Sequence, residues 1–350
     1  MDVRDFDFDL PAELIAQEPL SERGASRLLS LNRGTGSLTP STIAALPDLL
    51  GAGDVLVINN TRVFPARLIG RRLPTGGAVE WLLIGRLEGD EWEALVHPGQ
   101  KLKPGAQVVF EGVRTLRGEI LERRFHGRRL VRLWTGDGGG GGSVDEAVDA
   151  IGHVPLPPYI KRVDCAADRD RYQTIFARSR GSIAAPTAGL HFTPSVVAAC
   201  AARGVEIAEI TLHVGYGTFQ PVRGERVEDH TIEPERYEIG GAAADAINGA
   251  LAGRRRIVAV GTTTTRTLEA VAREHDGRIV AGTGWAGLFI YPGFTFRVVS
   301  GLLTNFHLPR SSLLMLVAAF GGRERVLDAY RCAVANRYRF YSYGDAMLIL

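Results

Sequence analysis

The chain has 350 residues, 45% hydrophobic and 23% charged, ordinary globular material long enough for two domains and a large core. Its net charge of +2 announces no polyanion partner. The longest strongly apolar run, Leu313 to Phe320, is far short of the ~20 residues a membrane helix needs. The acidic start Asp2-Val3-Arg4-Asp5 lacks the features of a signal peptide. Cys165, Cys200 and Cys332 lie apart, which argues for a reducing compartment and against structural zinc. A cytoplasmic protein with no membrane partner and no metal is expected.

In chain order, Asp54 to Ile58 is a continuous apolar run, as in a strand covered on both faces. Asn59-Asn60-Thr61-Arg62 follows at its C-terminal end, where α/β sheets present ligand-binding groups. Asn59 and Arg62 are therefore candidate binding residues. Six strand-like runs come next, namely 63–73, 79–87, 92–96, 107–110, 116–122 and 130–134. Turn signals such as Lys103-Pro104-Gly105 separate them, and the spacing predicts an antiparallel barrel or sandwich. From Arg62 to Thr135 there are 14 Lys and Arg against 8 Asp and Glu, an asymmetry that can mark a nucleic-acid face. The run 136–143, nearly all Gly, reads as a flexible linker. In His153 to Arg162 three prolines fix an extended path. Tyr159, Lys161 and Arg162 are suited to line a groove there, although a rigid strap needs no such role.

The segment Gly181 to Thr193 packs Pro186, Thr187, Gly189 and His191 between apolar residues. Gly lets a backbone or ligand approach closely, and Thr and His supply hydrogen bonds and proton chemistry. Pro194 to Ala202 reads as a helix and Glu206 to Leu212 as a strand. That strand runs into a second polar knot with His213 and Gly215. Ala242 to Ala252 is a helix and Arg256 to Val260 a strand, followed by Gly261-Thr262-Thr263-Thr264-Thr265-Arg266 and a helix from Arg266 to His275. A strand, a Gly/Thr turn and a helix N-terminus make an anion site. Thr262, Thr263, Thr264 and Arg266 would complete a carboxylate or phosphate clamp. Neither the dinucleotide fingerprint nor the P-loop spacing is present. Thr304 to Pro309 forms a third knot with Asn305 and His307. Arg337 to Tyr343 interleaves bases with aromatics, and a strand with alternating faces is preferred there over a base-stacking surface. The fold class is α/β: a discontinuous main domain of residues 1–61 and 150–350, carrying an inserted all-β, six-stranded antiparallel barrel-like domain at 62–149 that ends in the Gly-rich linker. Three His-bearing knots on one chain read as the walls of one site.

These segments together resemble the S-adenosylmethionine:tRNA ribosyltransferase-isomerase family of queuosine biosynthesis. The resemblance runs from Asp5-Phe6-Asp7-Phe8 to Gly344-Asp345-Ala346-Met347 and is strongest at 59–67, 153–162, 171–174, 185–193, 212–219 and 304–314. It implies an α/β plus β-barrel protein. It also implies transfer and isomerisation of the ribosyl part of S-adenosylmethionine onto 7-aminomethyl-7-deazaguanine at the tRNA wobble position, giving epoxyqueuosine, adenine and methionine. The expected partners are S-adenosylmethionine, as co-substrate, and tRNA carrying that base. No cofactor and a monomer are expected. A base must take a proton beside the sulfonium, and neutral His serves near pH 7, so His191, His213 and His307 are unranked candidates. Asn59, Arg62, Thr187 and Asn305 would hold ribose or base edges, with Gly189 and Gly215 allowing close approach. Tyr159, Lys161 and Arg162 would contact tRNA. The chain departs from the family's usual residues at Ile232-Glu233, where Met-His is common, and at Thr264-Thr265 and Ala286-Gly287. A diverged RNA-binding relative without catalysis, or an enzyme on another acceptor, is the alternative.

Overall fold

The computed structural model describes residues 1–136, 142–219, 222 and 224–350; the middle of the Gly-rich linker expected at 136–143 lies outside them. The chain first forms β1 (Arg27–Leu31) and β2 (Leu38–Thr42), a one-turn helix α1 (Leu46–Leu49), then β3 (Val55–Asn59) and the short β4 (Thr61–Val63). Six strands follow: β5 (Arg67–Arg72), β6 (Ala78–Arg86), β7 (Glu91–His97), β8 (Gln107–Phe110), β9 (Leu116–Arg123) and β10 (Arg128–Thr135). They close into an antiparallel barrel in the order β10-β7-β6-β5-β8-β9. Burial alternates along each strand, so that Trp81, Trp92, Phe110, Ile120 and Leu133 fill the interior. Gly118 faces the Trp81 ring so closely that a Cβ there would lie 2.6 Å from it, which explains the missing side chain in that strand.

Beyond the barrel come α2 (Val144–Ile151), α3 (Asp168–Arg171), β11 (Ser179–Ser182), α4 (Pro194–Ala202) and β12 (Glu206–Leu212). Then follow β13 (Glu235–Ile239), α5 (Gly241–Ala252), β14 (Ile257–Val260), α6 (Thr262–Glu274) and β15 (Gly282–Ala286). The chain ends with β16 (Gly301–Asn305), α7 (Ser312–Gly321), α8 (Arg323–Ala335) and β17 (Ala346–Ile349). Nine strands make one mixed sheet in the order β15-β13-β12-β3-β14-β16-β17-β1-β2. At its centre β12, β3, β14 and β16 are parallel. The apolar runs of β3 and β14 serve two cores. Val55, Val57, Ile257 and Ala259 pack on the face covered by α5 to α8, while Leu56, Ile58, Val258 and Val260 pack on the face covered by α1 and α4. The α/β fold with a six-stranded barrel therefore stands as read from the sequence.

One element differs from the sequence reading. Arg337 to Tyr343 is a turn region, not a strand. The carboxylate of Asp345 gathers the backbone N–H groups of Arg27 and Arg339, and Tyr341 sits at φ 74°, a conformation no strand residue adopts. A bulky non-glycine residue held there is strained and over-determined by its surroundings.

Candidate active site

The C-terminal ends of β14 and β16 meet the N-terminus of α6 at a cleft. Gly261, at φ 95°, turns the chain from strand to helix in one residue, which starts α6 four residues earlier than expected. The turn thus places Thr262 and Thr263 in the cleft wall, where the first N–H groups of a helix have no intrahelical partner. The other threonines point elsewhere. Thr264 Oγ1 donates to Val260 O (2.8 Å) and Thr265 Oγ1 to Gly261 O (3.1 Å). Thr264 of the expected clamp therefore secures the helix and does not face the cleft.

All three knots reach this place. The first contributes Ala184 to Ala188, including Thr187; the second Val214 and Thr218; the third Thr304, Asn305 and His307. Among the described residues lining the cleft there is no Asp, Glu, Lys or Arg. A wider groove shares Tyr159, Thr218 and Tyr341 with the cleft and carries Arg4 and Arg310 beside Asp2 and Glu225.

The three histidines have different placements. His307 lines the cleft, its Nε2 against Thr304 Oγ1 at 2.8 Å and its backbone N–H donated to Tyr330 Oη at 3.0 Å. Burial lowers its pKa to about 3, so the ring is neutral at pH 7. His191 lies behind the wall, with Nδ1 2.9 Å from Ser26 Oγ and Nε2 3.1 Å from Asn305 Nδ2; burial lowers its pKa to about 4. His213 is also outside the cleft lining. Its Nδ1 is 2.9 Å from Thr61 Oγ1, which contacts Ser182 Oγ at 2.7 Å, and burial pushes its pKa down. A Cβ on Gly181 would lie 2.6 Å from that ring nitrogen, so the glycine is there to admit the imidazole.

Several other expected residues are committed inside the protein. Arg266 is 3% exposed and pairs with buried Glu235. Glu235 Oε1 also accepts the N–H of Gly215 (2.9 Å) and the hydroxyl of Thr218 (3.0 Å). Arg266 and Gly215 thus tie the second knot to α6 and do not line the cleft. Asn59 donates to Leu212 O (2.9 Å) and accepts from the N–H groups of Thr61 and Leu212, a staple between β3 and β12. Gly189 packs against Thr174, where a Cβ would approach within 2.8 Å. Arg162 makes two 2.7 Å bonds to Asp168. Burial pushes that carboxyl up, but Arg162 and the Cys165 N–H pull it down to about 2. Lys161 and Arg62 are exposed and outside the cleft lining. Glu233, at the divergent position, pairs with Arg128 of the barrel.

Sequence reasoning missed Tyr341 and Ser342, which line the cleft, and the contact of the Tyr159 hydroxyl with Ser342 Oγ. The one available signal was the density of tyrosines in 338–343.

The sequence model described as queuosine biosynthesis protein matches residues 3–349. The chain belongs to that family. It is 52% identical to the S-adenosylmethionine:tRNA ribosyltransferase-isomerase of Desulfitobacterium hafniense and 51% identical to that of Moorella thermoacetica, each over 350 residues and 100% of both chains. The crystal structure of the S-adenosylmethionine tRNA ribosyltransferase of Thermotoga maritima is similar with a TM-score of 0.55 and 39% identity, covering 99% of this chain and 100% of that one. Among the described residues of this family member no helix is long and apolar enough to cross a membrane, and no three His, Cys, Asp or Glu are grouped to hold a metal.

Proposed function

We propose that this protein transfers and isomerises the ribosyl part of S-adenosylmethionine onto 7-aminomethyl-7-deazaguanine in tRNA, releasing adenine and methionine and leaving epoxyqueuosine. The observation that carries the reading is the convergence of all three knots and the α6 N-terminus on one cleft without ionised side chains, in a chain about half identical to such enzymes over its full length. The methionine carboxylate is placed at Thr262 and Thr263, where N–H groups and the helix dipole favour an anion. The uncharged wall leaves the sulfonium without a counter-ion from the cleft lining. Loss of a proton from the carbon beside sulfur converts the sulfonium to a net-neutral ylide, and the positive charge moves to the group that accepts the proton. The proton passes to a neutral acceptor, and His307 is the one candidate imidazole that lines the cleft. Adenine then departs, the amine of the modified base bonds to the ribosyl carbon, and closure to the epoxide expels methionine.

Lys161, Tyr159 and the groove with Arg4 and Arg310 are assigned to the tRNA. The division at residues 62 and 149, a cytoplasmic monomer and independence from any cofactor complete the proposal. The deciding experiment incubates purified protein with S-adenosylmethionine and tRNA bearing 7-aminomethyl-7-deazaguanine, then measures adenine by chromatography and epoxyqueuosine by mass spectrometry of digested tRNA. Both products are expected; tRNA binding without either product, on a substrate of proven competence, overturns the proposal.

A further inference from the structure

Asn305 ends β16, is 1% exposed and lines the cleft. Its Nδ2 donates to Tyr341 O and to His191 Nε2, both at 3.1 Å, which uses both amide hydrogens. Its Oδ1 is buried without a partner. An unpaired buried acceptor is unfavourable, and here it belongs to a residue of the cleft lining. The amide cannot turn over without loss. A peptide carbonyl only accepts, so reversal would set Oδ1 against Tyr341 O. Gly344 N–H holds that carbonyl in place at 2.9 Å. His191 fits the same orientation from the other side. A neutral imidazole has one donor and one acceptor nitrogen, and the amide offers Nε2 only hydrogens. Nε2 is therefore the acceptor, and Nδ1 carries the hydrogen towards Ser26 Oγ.

We propose that Asn305 Oδ1 accepts a hydrogen from S-adenosylmethionine, from a ribosyl hydroxyl or the adenine amine, and that His191 is a positioning residue that aims this oxygen through Asn305. The inference rests on the cleft being the S-adenosylmethionine site. His191 thereby leaves the set of candidate bases: both its ring nitrogens are occupied, and the amide separates it from the ligand.

The test measures the affinities of S-adenosylmethionine and its 2′-deoxy, 3′-deoxy and N6,N6-dimethyl analogues by calorimetry, for wild type, Asn305→Ala, His191→Phe and His191→Gln. If wild type binds S-adenosylmethionine not at all, the functional reading itself fails. If it binds, one analogue is expected to bind about tenfold more weakly than the parent, the size of one lost hydrogen bond to a buried acceptor. That penalty should vanish in Asn305→Ala and shrink in His191→Phe. It should return in His191→Gln, whose side-chain oxygen can accept from Nδ2. The analogue concerned identifies the donor. Wild-type penalties persisting in Asn305→Ala overturn the acceptor role. A marked fall in turnover in His191→Gln, with the penalty intact and a limb removed from the residual pH–rate profile, overturns the positioning role. Melting curves on each variant separate misfolding from either outcome.

Discussion

Replacing Arg266 by Met should harm the fold first and the ligand second. The guanidinium and Glu235 are 3% and 5% exposed, so removing the cation leaves a buried carboxylate uncompensated, at a cost of about 3–5 kcal/mol. With an unfolding entropy of about 2.1 cal/mol/K per residue, a loss of 4 kcal/mol from 350 residues lowers Tm by about 5 °C. Adding Glu235→Gln should recover much of that loss. The amide oxygen still accepts from Gly215 N–H and Thr218 hydroxyl, and no charge remains buried. Calorimetric unfolding of Arg266→Met, the double variant and wild type tests this, with S-adenosylmethionine titrations alongside. Were Arg266→Met to keep its Tm within a degree while affinity fell more than tenfold, Arg266 would be a carboxylate clamp after all and the argument from Glu235 would fail.

Acid should weaken the fold between pH 6.5 and about 4. His191 and His307 titrate at 6.5 when unfolded but are held at about 4 and about 3 by burial, so the unfolded chain binds more protons and stability drops as pH falls through that window. Each contributes about 1.4 kcal/mol per pH unit; denaturant midpoints against pH should show a shallower slope in His191→Gln, and an unchanged slope would contradict the burial argument. Thr263→Val should weaken S-adenosylmethionine binding about twofold to tenfold, whereas Thr265→Val, whose hydroxyl is bonded to Gly261 O, should leave calorimetric affinity as it was. Arg162→Met should lower Tm because it strands the 2% exposed Asp168. Lys161→Gln should instead reduce the salt slope of tRNA binding by about one, seen in filter binding at several ionic strengths. Glu233→Ala should change stability by at most about 1 kcal/mol, since the carboxylate is 45% exposed, and a collapse of adenine release in that variant would return Glu233 to the catalytic candidates.

The contrast between Arg266 and Thr263 explains how much of the molecule was legible in the sequence. The strand runs from 79 to 134 and the helix and strand at 194–202 and 206–212 report burial by direct spacing, and the structure reproduces them to within two residues, whereas the run read at 63–73 becomes a strand only from Arg67. The place of the cleft was also legible, because glycines, threonines and histidines at strand ends have no packing reason to cluster. What spacing does not encode is the direction in which a polar side chain points. Arg266 and Arg162 turn inward because Glu235 and Asp168 wait there as buried carboxylates, and Asn59 turns inward to satisfy the ends of β3 and β12. Tyr341 and Ser342 reach the cleft through a left-handed turn that alternating bases and aromatics disguise as a strand. The charged residues nearest the knots therefore hold the walls, while uncharged threonine, asparagine and neutral histidine line the cleft. On the proposed reaction, which begins by discharging a sulfonium, this division has a physical basis: a carboxylate in the wall would stabilise the cation that must lose its proton, whereas amide, hydroxyl and neutral imidazole groups can orient it without doing so.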